Sequence, residues 1–179
     1  MNKKAIVLLA ILALIFTCVS ISAANLETVD EGNYTISVPA DETFKNVSIL
    51  PSGITFHLSS NGFMSDIQKA MFDGKQSKSE DLLYYYINFD KDSVANCSSL
   101  NSTDAYLSLI ENNTGVEQDS NGSYKVFKYA NKTNITDYDY IILVQDQGFL
   151  SMFPQQRIVG IEGNDLELLT EMADSVKFK

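Results

Sequence analysis

The first twenty-four residues constrain this chain most, because they cannot belong to the same globule as the rest. Lys3 and Lys4 open it, an unbroken apolar run fills Ala5 to Phe16, and Ser22, Ala23 and Ala24 close the segment. A basic start, an apolar centre of roughly 7–15 residues and small residues at the exit are the three parts of a secretory signal. With Ser22 and Ala24 at the recognition positions, cleavage is expected after Ala24. Residues 25–179 are then left as one globular α+β domain. A retained N-terminal anchor is the alternative. A membrane-spanning helix takes about 20 residues, and residues 5–24 reach that length only by counting Thr17, Ser20 and Ser22. A lipid on Cys18 is a third route, although Ile15, Phe16 and Thr17 are poor matches to the small residues that usually precede a lipidated cysteine. Each reading exports the protein to the extracellular space or the cell surface, with membrane contact only through this segment.

Export permits disulfides. Cys97 is nevertheless the only cysteine beyond residue 24, so no internal bridge is expected and stability must come from a packed core. The material for one is present: 155 residues remain after the expected cut, and 45% of the whole chain is apolar. All 23 acids lie beyond the leader, and loss of Lys3 and Lys4 takes the net charge from −10 to −12. Arg157 is the only arginine. Phosphate backbones are gripped by clustered Lys and Arg, so nucleic acid is excluded as a partner class, and close adhesion to an anionic lipid surface is disfavoured.

Hydrophobic periodicity places the elements. Asn25 to Gly32 reads as a polar lead-in, and strands are expected over Tyr34–Val38 and Phe44–Leu50. Alternation of Ile54, Phe56 and Leu58 marks another strand. Ser65 and Gln68 have capping-box spacing ahead of a short helix ending near Gly74, and Lys75 to Asp81 reads as a loop. Leu82 to Phe89 is apolar or aromatic at both parities, the pattern of a central strand covered on both faces. A second helix is expected from Ser102 to about Asn113. A hairpin turns at Asn121–Gly122 between Val116–Asp119 and Tyr124–Tyr129. Strands follow over Tyr138–Val144, Phe149–Phe153 and Arg157–Ile161. The final helix spans about Asp165 to Val176, with Asn164 at its N-cap, Glu167 at N3, and Leu166, Leu169, Met172, Ala173 and Val176 on its apolar stripe. Lys177 and Lys179 fall at its negative end.

The closing segment carries a resemblance. Ile161, Gly163, Asn164, Asp165 and Leu166, followed by Met172, Ala173, Asp174, Ser175, Val176, Lys177 and Phe178, resemble the last strand, helix and tail of small exported archaeal surface proteins. Those are similar in layout to the PsbP-like α/β/α sandwich. The resemblance implies an α/β (α+β) fold in which a mainly antiparallel sheet has helices packed on it. It also implies a binding or assembly role more than catalysis, and it brings no catalytic residues.

The sequence motif with the greatest excess over chance is the glycosylation sequon. Asn33, Asn46, Asn96, Asn101, Asn112, Asn121, Asn131 and Asn134 each have Ser or Thr two positions on and no proline between, which is 8 of the 14 asparagines. Ser and Thr make up 29 of 179 residues, so chance alone gives about two. On an exported chain such positions accept bulky, solubilising glycans; a surface rich in Asn, Ser and Thr that generates sequons idly is the alternative.

Catalytic and metal chemistry find little support. His57 is the single histidine, placed mid-strand between Phe56 and Leu58, and a hydrolase triad would have to use it. One His and one Cys beyond the leader cannot supply a zinc site. Glu117, Asp119, Asn121 and Gly122 echo the opening of an EF-hand loop, but Lys128 stands where the closing Glu belongs, and a plain hairpin turn fits better. Asp90 with Asp92, and Asp137 with Asp139, are weak acid pairs that read as solvated loops. Tyr84, Tyr85, Tyr86, Tyr138 and Tyr140 could form a sugar-stacking platform but fit sheet packing better. No cofactor or metal is expected. The reading reached is a non-enzymatic binding or assembly module whose partner is an envelope protein or glycan. A glycan-acting hydrolase built on an acid pair and a structural envelope protein are the alternatives.

Overall fold

The structure, a computed structural model, describes residues 25–49, 72–88, 117–120, 123–129, 138–146 and 157–179. Ten strands and one helix lie there: β1 Leu26–Asp30, β2 Tyr34–Pro39, β3 Phe44–Ile49, β4 Phe72–Ser77, β5 Leu82–Asn88, β6 Glu117–Ser120, β7 Tyr124–Lys128, β8 Tyr140–Gln145, β9 Arg157–Gly163, α1 Leu166–Ser175 and β10 Lys177–Phe178. Seven strands form one antiparallel sheet in the order β3-β4-β5-β9-β8-β7-β6, and β1-β2-β10 form a smaller one.

The residues at the centre of the large sheet explain its place in the fold. In β5, β8 and β9 both side-chain parities are apolar, and most residues are buried. Tyr84 pairs with Ile161, and Ile161 with Ile142, so one face presents Leu82, Tyr84, Val159, Ile161, Ile142, Val144, Tyr124 and Val126. Tyr34, Ile36 and Val38 of β2, together with Leu169, Met172 and Ala173 of α1, pack onto that face to complete the core. The opposite face carries Leu83, Tyr85, Ile87, Phe127, Ile141, Leu143 and Ile158, which are buried as well. The expectation that Leu82–Phe89 is a central, doubly covered strand therefore holds over Leu82–Asn88.

The expected α/β layout, with helices packed as a layer on the sheet, is overturned. Among the described residues 62% lie in strands and 12% in the one helix, and two sheets are present. The layer over the large sheet is therefore a second sheet joined by α1, which touches β2, β8 and β9. Two strands that the sequence disguised account for part of the difference. Asn25–Gly32 contains β1, which gains its ladder from β2 through pairs such as Thr28–Ser37. The stop expected for a helix near Gly74 falls instead inside β4, whose Gly74 lies in register between Val47 and Tyr85. A Cβ there would meet the Tyr84 carbonyl oxygen at 3.2 Å, so the glycine serves close strand packing and not a helix stop. The loop expected from Lys75 begins only after Ser77. Its turn is fastened by the Ser77 and Ser79 hydroxyls, which donate to Asp81 Oδ1 at 3.0 and 2.5 Å, and Glu80 adopts φ 63°. The expected elements at 54–58, 65–71, 102–113 and 149–153 lie outside the described residues.

The C-terminal helix forms with its caps shifted. Asp165, not Asn164, is the N-cap, and its carboxylate accepts from the backbone N–H groups of Glu167 and Leu168 at 3.1 and 3.2 Å. Asn164 instead accepts from the Asp139 N–H at 2.9 Å. Leu169, Met172 and Ala173 form the buried stripe. Lys177 and Lys179 do not serve the helix end: the last turn holds no basic residue, and Lys177 lies in β10 opposite Thr35.

Candidate functional site

A cleft of about 300 Å³ opens where β7 starts, β8 ends and the C-terminal end of α1 passes into β10. Its apolar walls come from Tyr124, Val144, Ala173, Val176 and Phe178, and its polar groups from Ser123, Gln145, Asp146 and Asp174. This volume is at the small end of the range of about 300–1,000 Å³ typical of ligand sites, which combine apolar walls with a few placed polar groups. Strand alternation puts Tyr124 and Val144 side by side as a cross-strand pair on the inner face. Helix pitch brings Ala173 inward while Asp174 stays exposed at the rim.

One wall is held by Arg157. Its Nε donates to Asp146 Oδ2 at 2.6 Å, and its Nη2 forms an ion pair with the same oxygen. Its Nη1 donates to the Lys179 carbonyl at 2.8 Å, and the guanidinium lies 5.5 Å from the centre of the Phe178 ring. A planar, many-donor group is suited to this combination of fork and stacking. The far side of the tail is tied down too. The Lys179 N–H donates to the Asn33 carbonyl at 2.9 Å, and the Lys179 ammonium reaches Asp30 at 2.5 Å. That contact, with the Gly32 N–H next in weight, holds the Asp30 carboxyl below the usual range. The cleft is therefore walled by a tail whose position is fixed from two sheets.

A second polar centre lies on the same face of the large sheet. The Tyr84 hydroxyl donates to Glu31 Oε1 at 2.9 Å, and Lys75 lies 3.6 Å from the other Glu31 oxygen. Tyr34 stacks on Tyr86 at 5.6 Å, and Phe44 meets Tyr84 edge-on at 5.3 Å. Burial, followed by the neighbouring Glu31 carboxylate, pushes the Tyr34 and Tyr84 phenols far above their ordinary value. On the opposite face Tyr85 donates to the buried Glu162 at 3.0 Å. Tyr84, Tyr85 and Tyr138 are buried, so they are core residues and not a sugar-stacking platform.

Of the predicted site residues, Asn33 lies exposed just ahead of β2 and Asn46 lies exposed within β3. Asn96, Asn101, Asn112, Asn121, Asn131 and Asn134, like His57, Cys97, Asp90, Asp92 and Asp137, lie outside the described residues. β6 and β7 pair as antiparallel strands around 121–122, as a hairpin requires and a helix–loop–helix calcium site does not. Among the described residues no group of three or more His, Cys, Asp or Glu is placed to hold a metal ion. The acid pair expected of a glycan hydrolase needs two carboxyls with opposed shifts. Two of the described carboxyls, Asp30 and Glu80, are exposed and both lowered by a lysine, so those two do not form such a pair. No described helix is long and apolar enough to cross a membrane.

Sequence reasoning missed the cleft, whose wall residues are scattered over residues 123–178. Two signals were available. Arg157 stands alone as a cation in its region, and Val176, Lys177 and Phe178 alternate as a strand does. The chain matches no protein-family model, no curated protein and no solved structure.

Proposed function

We propose that this chain is an exported cell-surface or secreted protein that works as a binding or assembly module and is glycosylated on its exposed sequons. The observation that carries the binding role is the cleft beside Arg157: apolar walls, two carboxylates and two neutral polar groups on a braced frame. Such a lining recognises a small polar group with an apolar body, such as a sugar residue or a side chain of an envelope partner. The basic, apolar and small-residue order of the leader supports export, and the exposure of Asn33 and Asn46 supports glycan attachment.

The test is a thermal-shift screen of the full chain against envelope oligosaccharides and envelope-derived peptides, run beside Asp174→Trp, which fills the cleft from its exposed rim. A ligand that binds only the folded state raises Tm in proportion to RT ln(1 + [L]/Kd). The reading expects at least one compound class to raise the Tm of the wild type and to leave Asp174→Trp unmoved. No response from either class, or equal responses in both proteins, contradicts it.

A further inference from the structure

The charged side chains that line the cleft are all of one sign. They are Asp146 and Asp174, and no described lysine or arginine joins them. The cations of the neighbouring elements are turned away or already held. Val176 and Phe178 face the cleft, so strand alternation turns Lys177 between them to the opposite side. In β7, Tyr124 and Val126 face the core, and Lys125 points to the other face of the sheet. Lys128 stands at the far end of the same strand, 5.6 Å from the centre of the Tyr140 ring. Arg157 is bound to Asp146 and to the Lys179 carbonyl, and the Lys179 ammonium to Asp30.

Helix α1 adds to the same sign. The C-terminal end of a helix carries the equivalent of about half a negative charge, which a basic residue in the last turn offsets. α1 ends at the cleft with no basic residue in its last turn. Asp174 sits in that turn, exposed, and makes no ion pair among the described residues. Asp146 is matched by Arg157, so the unmatched charge lies at the rim on the helix side. The floor is apolar, because Tyr124, Val144 and Ala173 are buried. We infer that the cleft takes an apolar group bearing a positive charge, with the apolar body on the floor and the ammonium at the rim beside Asp174, and that it refuses the anionic counterpart. The inference rests on the binding reading of the cleft given above.

That chemistry has two sources, a free small amine or a lysine beside an apolar residue in a partner polypeptide. An exposed ion pair and a helix end each shift an equilibrium by a factor of roughly two to five. Together they set a cation and an anion of one shape roughly tenfold apart in Kd.

The test titrates the full chain with three probes of nearly one shape, isoamylamine, isoamyl alcohol and isovalerate, and with a capped Leu-Lys peptide. The amide NMR signals of Tyr124, Val144 and Ala173 report binding at the cleft. The expected result is isoamylamine bound roughly tenfold tighter than isovalerate, with the alcohol between them. The gap should narrow between about 0.1 and 1 M salt, as the Debye length falls from about 10 to 3 Å. Asp174→Asn keeps the shape and removes the charge; it should weaken amine binding about threefold and leave the alcohol unchanged. Asp41→Asn, at an exposed acid that does not line the cleft, should change neither. A peptide that binds more tightly than the free amine supports the inference with a polypeptide as the source, and the reverse supports it with a small amine. Amine and carboxylate bound equally, or an Asp174→Asn variant that keeps the full preference, overturns the inference and leaves the cleft a binding site. Signals unmoved by every probe overturn the inference and the binding reading together.

Discussion

β9 and β3 belong to the same sheet and have opposite surroundings. β9 is flanked by β5 and β8, and six of its seven residues are buried, whereas β3 is half-buried at best along its whole length. In β9 the side chains build the core; in β3 they contribute less to it. A substitution in the centre should therefore cost stability, and one at an exposed position of β3 should leave it nearly unchanged.

The sharpest way to break this contrast is Gly160→Ala in β9. A Cβ at Gly160 would stand 2.3–2.6 Å from the Tyr85 ring and hydroxyl, so the ring must leave its seat and its bond to Glu162. Overpacking together with a lost buried hydrogen bond puts the cost at about 2–4 kcal/mol, read as a lower urea midpoint with unchanged slope. Tyr85→Phe keeps the packing and removes only the hydroxyl donor to Glu162; about 1–3 kcal/mol is expected from the same measurement.

Alkaline pH probes the covered face without mutation. Tyr34 and Tyr84 are held neutral in the fold, so above about pH 10 the unfolded chain ionises them while the native one does not. The native state then binds more protons, and stability falls as pH rises. The slope is at most about 1.4 kcal/mol per pH unit for each tyrosine. Tyr84→Phe should flatten the loss between pH 10 and 11 in denaturant titrations; an unchanged slope contradicts the shift assigned to Tyr84.

The tail that walls the cleft should respond less. Arg157→Lys keeps the charge and loses the fork to Asp146 and the Lys179 carbonyl. Because that side chain is 30% exposed, about 1 kcal/mol is expected by calorimetry, together with weaker ligand-induced Tm shifts. In β3, the exposed Asn46→Gln should change stability by less than about 0.5 kcal/mol, read from the urea midpoint.

How much of this was legible in the sequence follows the same line between centre and edge. Leu82–Asn88 could be read because its residues are apolar or aromatic at both parities, and α1 because its stripe recurs at helical spacing. β4 could not. Phe-Asp-Gly-Lys-Gln-Ser holds one large apolar residue and a glycine, and it is a strand because β3 and β5 supply ladders on both sides. β1 was hidden for the same reason, since its partner β2 follows a turn at Gly32 with φ 86°. The cleft left no local motif, because residues 123–124, 144–146 and 173–178 meet only once β7, β8, α1 and β10 are assembled.

The most direct measurement of the central claim, an exported chain that carries a sugar on Asn46, is peptide mass mapping of Asn46 across fractions of a glycosylating host. Recovery outside the cytoplasm, with a glycan mass on the Asn46 peptide, is the expected result. A cytosolic chain of bare polypeptide mass would contradict it.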